Sequence, residues 1–172
     1  MTEALDSFAR DLVASGPQSA HPDRMQLFGQ LVGTWRVTNR LLDERTGAWS
    51  VTPLEWTFAY VLDGRAVQDV LVRPDADDPD ARAALGTTVR VYDAQLGVWR
   101  VSWFGTASGD FCTLVASGHR DGIRQDGTQT DGRPIRWNFS AVTSDSFAWD
   151  GWVSSDEGAT WWLEQHMDAV RG

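Results

Sequence analysis

The sequence contains no lysine. Every fixed side-chain cation is therefore an arginine, and Schiff-base chemistry on a lysine amine is excluded. It has one cysteine, Cys112, so no intrachain disulfide can form. Long apolar runs are missing too. The opening TEALDSFARDLVAS carries acids early and no extended apolar core, so it reads as neither a signal peptide nor a spanning helix, and a cytoplasmic protein is expected. No zinc spacing, phosphate loop or nucleophile elbow occurs, and neither a metal nor a cofactor is expected. Cations are in the minority, 15 against 24 acids, for a formal charge of −9. That balance argues against nucleic acid and anionic membrane as partners.

What is abundant is tryptophan, ten in 172 residues. So many rigid, amphipathic rings point to an aromatic-lined cavity, an aromatic interface, or a large β-core. The length fits one domain over 1–172, with a helical segment at 1–32 and a barrel at 33–171. Residues 3 to 14 put Leu5, Phe8, Leu12 and Val13 on one helical stripe, and a second short helix starts at Pro22 and ends by Gly33. From Gly33 the pattern turns to period two. Strands are expected near 34–42, 49–61, 65–73, 86–93, 97–105, 110–118, 122–129, 133–142, 146–154 and 160–169. The stretch Arg73 to Leu85, rich in acids and proline, reads as a long strand-free loop or lid. Consecutive hairpins imply a mainly β, antiparallel up-and-down barrel of about eight to ten strands, closed to remove its edges.

Hairpin pairing makes these expectations specific. The two-residue turn Asp63-Gly64 sets Phe58 opposite Asp69 and Trp56 opposite Leu71, leaving Asp69 as a single acid on an apolar face. A tight turn after Ala141 would set Phe139 opposite Phe147, Trp137 opposite Trp149, and Arg136 opposite Asp150. The next hairpin would add Glu164 opposite Asp150. Pairing Val91 with Trp99 would set Arg90 opposite Arg100. Parity then groups Trp35, Val37, Asn39 and Leu41 with an apolar face that includes Val89, Val91, Val101 and Leu163. The other face holds Arg36, Arg40, Glu55, Arg90, Arg100, Arg136, Asp150, Glu164 and His166. Either the aromatic face is the interior, or the interior is polar and Arg136, Asp150, Glu164 and His166 form a buried set.

The segment LFGQLVGTWRV ends a helix and begins a strand with Gly-x-Trp. This resembles the lipocalin, or calycin, signature, in which the tryptophan closes one end of a barrel and an arginine after the last strand packs on it. The matching positions are Gly33, Trp35 and, more loosely, Arg171. The cadence LVGTWRV…LDGRAVQDV…VRVYDAQLGVWRVSW is also similar to an uncharacterised bacterial family of lipocalin-like barrels. The resemblance implies a calycin-like fold of the cytoplasmic branch. Haem-binding relatives continue with further spaced glycines, which RVTNR lacks.

Three functions are consistent with these residues. The first is binding of a hydrophobic or aromatic small molecule in a cavity walled by Trp56, Phe58, Trp99, Trp103, Trp137 and Trp149. The second is an isomerase, cyclase or lyase on the same barrel, using Asp69, Tyr60 or His166 as a catalytic group. The third is a filled barrel that serves assembly, with a homodimer as one arrangement. Cys112 beside Phe111 reads as a buried structural thiol.

Overall fold

The computed structural model describes residues 2–75, 77–78 and 81–172. Among them, helices α1 (Thr2–Leu12) and α2 (Pro22–Gly29) precede ten strands. The strands are β1 (Gly33–Leu42), β2 (Trp49–Val61), β3 (Ala66–Pro74), β4 (Arg82–Asp93), β5 (Val98–Gly105), β6 (Asp110–His119), β7 (Gly122–Thr128), β8 (Pro134–Ser140), β9 (Ser146–Val153) and β10 (Trp162–Arg171). Each pairs antiparallel with its sequence neighbour, and β10 pairs back onto β1. Closure leaves no ladder unpaired, so a sheet this rich in Val, Thr and Trp presents no sticky edge. The expected fold class and the two short helices are both observed.

One end of the barrel is filled. α2 brings Met25 and Phe28 beneath it, and these join Leu31 and Trp35 as residues with no solvent exposure. Phe28 meets Trp99 edge-on at 5.0 Å, and Trp35 meets Phe147 at 4.7 Å. The Gly-x-Trp stretch explains the seal. Gly33 has φ +129°, and a Cβ there would sit 2.3 Å from Arg171 Nη1, so only glycine admits both the backbone and the arginine. The Trp35 indole donates to Leu31 O at 2.7 Å. The Arg171 guanidinium stacks 3.7 Å from the Trp35 ring centroid and donates to Val32 O and Ser144 O. α1 is attached more lightly, through Val13 bridged to Val61 and Leu62 donating to Leu12 O. Its apolar stripe is not covered: Leu5 and Phe8 are 62% and 66% exposed.

The Asp63-Gly64 hairpin has the expected register, with Phe58 opposite Asp69 and Trp56 opposite Leu71. Both turn residues have positive φ, 58° and 73°, as the tight turn requires. Other expectations need correcting. The turn from β4 to β5 is one residue longer than pairing Val91 with Trp99 requires, so Tyr92 faces Trp99 and Val91 faces Arg100. A one-residue slip inverts a strand: Arg90 points inward, while Val91 is exposed and Val89 half-buried. The β8–β9 turn is longer too, so Phe139 faces Trp149, Asn138 faces Asp150 and Arg136 faces Trp152. That two-residue slip preserves the faces, and the expected aromatic partners meet diagonally, Phe139 with Phe147 and Trp137 with Trp149, each at 5.5 Å. Asp150 faces His166 rather than Glu164, so no Arg136–Asp150–Glu164 row exists. Nor is Arg73 to Leu85 strand-free. β3 runs to Pro74 and β4 begins at Arg82; of the residues between, Ala76, Pro79 and Asp80 lie outside the described ones.

Trp35→Ala should destabilise the fold by about 3–5 kcal/mol, as expected for a buried aromatic cut to alanine. Arg171→Ala should cost less, and less again in the Trp35→Ala background, because the two side chains are coupled. Urea unfolding of the four species measures this, and additive losses would mean that the stack contributes nothing.

Candidate binding cavity

The opposite half of the barrel is hollow. A cavity of about 860 Å³ opens at the end where the β1–β2, β5–β6 and β7–β8 connections lie. Trp56, Trp103, Trp137 and Trp149 line it, with Leu54, Leu71, Cys112 and Met167 between them. Glycines hold two of these rings against the wall. A Cβ on Gly86 would lie 2.4 Å from Trp103 Cη2, and one on Gly151 would lie 2.8 Å from Trp149 Cη2. The missing side chains let the indoles fold over the strands rather than project across the lumen.

The floor is charged. Arg90 and Asp69 are 2% and 1% exposed, with Nη1 2.6 Å from Oδ2. Asp69 Oδ1 also accepts the Thr88 N–H at 3.1 Å. The guanidinium carbon lies 5.1 Å and 5.3 Å from the ring centroids of Phe28 and Phe58. Thr88 and Arg90 both line the cavity from below. Neither the Arg90 Nε donor nor the buried Trp56 indole N–H has an acceptor among the described residues.

Two β-bulges shape the wall. Between β3 and β4 the ladder skips Leu85, and between β10 and β9 it skips Glu164. A bulge inserts an unpaired residue and re-aims its side chain. Both inserted residues line the cavity, Leu85 beside Gly86 and Glu164 beside Gln165. Burial raises the Glu164 carboxyl to about 7, the charges of Glu44, Asp110 and Asp131 add to the effect, and Arg133 partly opposes it. Arg133 is itself held by Glu44 at 2.9 Å and Asp131 at 2.8 Å. The Cys112 thiol is pushed up to about 12 by burial first and then by Asp110, Glu164 and Asp131, which leaves it protonated and a poor nucleophile.

The residues singled out from sequence fall in different places. Trp56, Trp103, Trp137 and Trp149 share the cavity wall. Phe58 and Trp99 are buried in the filled half, against Arg90 and Phe28. Asp69 sits at the floor on Arg90. Tyr60 lies toward the closed end, its hydroxyl 1.9 Å from where a Gly29 Cβ would be, and burial raises its pKa. His166 is on the outer face, with Nδ1 2.7 Å from Asp150 and Nε2 3.2 Å from Asp168. Asp69, Tyr60 and His166 are thus not brought together. Arg90 and Glu164, assigned by parity to the other face, are cavity residues. The inward Asp69 was the available signal for Arg90, since a buried carboxylate needs a cation. Among the described residues, no group of three or more His, Cys, Asp or Glu side chains is arranged to hold a metal.

No family model matches the chain, and no curated protein matches it in sequence. Among solved structures, the chain is similar to the S-type phycobiliprotein lyase CPES from Guillardia theta at 13% sequence identity. The match covers 91% of this chain and 98% of that one, with a TM-score of 0.49. A likeness of that size carries no ligand or residue role across.

Two predictions come from this geometry. Asp69→Ala leaves Arg90 buried without its counter-charge and should cost about 3–5 kcal/mol, whereas Asp69→Leu combined with Arg90→Met should recover most of that loss. Denaturant unfolding of both variants tests it, and equal losses would show that the pair is not coupled. The second concerns His166. Burial lowers its pKa, but the hydrogen bonds and charges of Asp150 and Asp168 outweigh that and hold it above the ordinary histidine value. A raised folded-state pKa stabilises fully below the unfolded value of about 6.5 and is lost as pH climbs through the folded one. His166→Asn should therefore lower the melting temperature at pH 6 and have little effect at pH 9; a loss independent of pH would refute the charged network.

Proposed function

We propose that the barrel binds a hydrophobic or aromatic small molecule in its open half. The observation that carries this reading is the cavity of about 860 Å³ walled by Trp56, Trp103, Trp137 and Trp149. Sites for small ligands are typically concave, about 300–1,000 Å³, and mostly apolar with a few polar groups that fix orientation. Four indoles supply the apolar wall, and the floor at Thr88 and Arg90 and the mouth at Glu164 supply the polar groups. A purely assembly role would call for an interior packed throughout, and packing stops at Phe28, Phe58 and Arg90. A reaction on the barrel would have to use groups that line the open cavity, and Tyr60, toward the sealed end, and His166, on the outer face, do not.

Titration with a panel of aromatic acids, amines, phenols and hydrophobic dyes should quench tryptophan fluorescence saturably, at one site per chain. Thr52 lines the cavity, so Thr52→Trp should obstruct it and abolish the saturable quench while leaving the circular dichroism unchanged. Absence of saturable quenching across the panel, with no bound molecule in native mass spectra of the purified protein, would overturn the reading.

A further inference from the structure

We propose that the ligand of this cavity carries a positively charged nitrogen, which Glu164 receives at the cavity mouth beside the paired rings of Trp137 and Trp149. The proposal rests on the binding function above and names the chemical class of its ligand. Its first support is placement. Glu164 is the residue skipped by the β10 bulge, it lines the lumen, and among the described residues no hydrogen bond or ion pair holds its carboxyl. A half-buried carboxylate that no hydrogen bond or ion pair holds among the described residues is costly unless something else pairs with it. A cationic ligand is that partner.

The second support is the aromatic surface next to it. Gln165, beside Glu164, faces Gly151, over which the Trp149 ring extends, and Trp137 lies 5.5 Å from Trp149. Indole faces attract ammonium groups through their quadrupole, most strongly where water is excluded. The indole N–H of Trp56, a ring 4% exposed on the same wall, has no acceptor among the described residues, which leaves a donor for a polar atom elsewhere on the ligand.

The third support is charge. Facing Glu164 around the mouth are Glu44 from the β1–β2 connection, Asp110 at the start of β6, and Asp131 and Arg133 from the β7–β8 turn. Arg133 is already shared between Glu44 and Asp131. Arg90, at the floor, is matched by Asp69. With Arg73 as the other cation of the lining, acids outnumber arginines at the entrance, and an entering cation gains where an anion is repelled. Burial, and after it those same acids, raise Glu164 to about 7. One pH unit below its pKa only about a tenth of such a group is ionised, so a ligand that needs the carboxylate binds about tenfold more weakly there.

The test uses benzyltrimethylammonium, whose charge does not titrate, its uncharged isostere neopentylbenzene, and phenylacetate. Fluorescence titrations are run on the full chain at pH 8 and pH 6. The ammonium compound should bind more tightly than both others at pH 8, and its affinity should fall about tenfold at pH 6 while that of neopentylbenzene stays constant. Glu164→Gln should remove both the preference and the pH dependence. This variant is expected to fold, because a carboxyl with a raised pKa loses stability on ionising and glutamine cannot ionise. The carboxyl titration followed by carbon NMR should shift downward when the ammonium compound is bound. Equal or tighter binding of the neutral or anionic probe at pH 8, or a pH dependence that survives in Glu164→Gln, would overturn the proposal. If other panel compounds bind and the ammonium probe does not, only this proposal falls; if nothing binds, the binding function falls with it.

Discussion

The Arg90–Asp69 ion pair is the contact on which the division of this barrel depends. Two charges with almost no exposure persist only because each answers the other and the backbone of Thr88 donates to the carboxylate. The pair ties four elements together: β3 and β4 provide the charges, while α2 and β2 provide Phe28 and Phe58, whose rings lie against the guanidinium. Below it the interior is filled with aromatic rings. Above it the lumen is open. A ligand entering from the mouth would therefore meet a polar floor rather than a continuation of the hydrophobic plug.

Openness above the pair needs its own physical cause, because aromatic side chains ordinarily fill space. Here the two bulges and the glycines act together. At Leu85 and Glu164 the chain places an extra residue on the lumen side, at a point where a bulged strand bends. At Gly86 and Gly151 it removes a side chain so that Trp103 and Trp149 can fold onto the strands. In each case the bulge and the glycine are adjacent: Leu85 precedes Gly86, and Glu164 lies next to the residue that faces Gly151.

Much of this frame was legible from the sequence, because alternation and turn residues are local signals. The ten strands, the helical start and the Asp63-Gly64 register followed from them. Three kinds of information were not local. Turn length between β4 and β5 differed by one residue, which moved Arg90 from outside to inside; between β8 and β9 it differed by two, which kept every face and changed only the partners. The β10 bulge breaks the alternation it would be read from, so alternation alone groups Glu164 with His166, two residues on, although one faces the lumen and the other the outer surface. The depth of each tryptophan within the barrel depends on where the helical plug stops. Phe58 and Trp99 have the parity of Trp56 and Trp103 but lie on the filled side of that boundary.

Parity and depth together assign the chemistry. A side chain must point inward and lie above the Arg90–Asp69 level to meet a ligand. Asp69 satisfies the first condition, but its carboxylate is engaged by Arg90 and Thr88; Tyr60 lies toward the sealed end and His166 points outward. Glu164 satisfies both, and among the described residues no hydrogen bond or ion pair holds its carboxyl. The bulge that obscured it in the sequence is what makes it available, since a regularly paired β10 would place Glu164 and His166 on one face. A functional carboxyl on a regular strand would have to replace one of the inward residues that close the wall. An inserted residue adds it while Gln165, Met167 and Ala169 keep their places in the ladder against Gly151, Trp149 and Phe147.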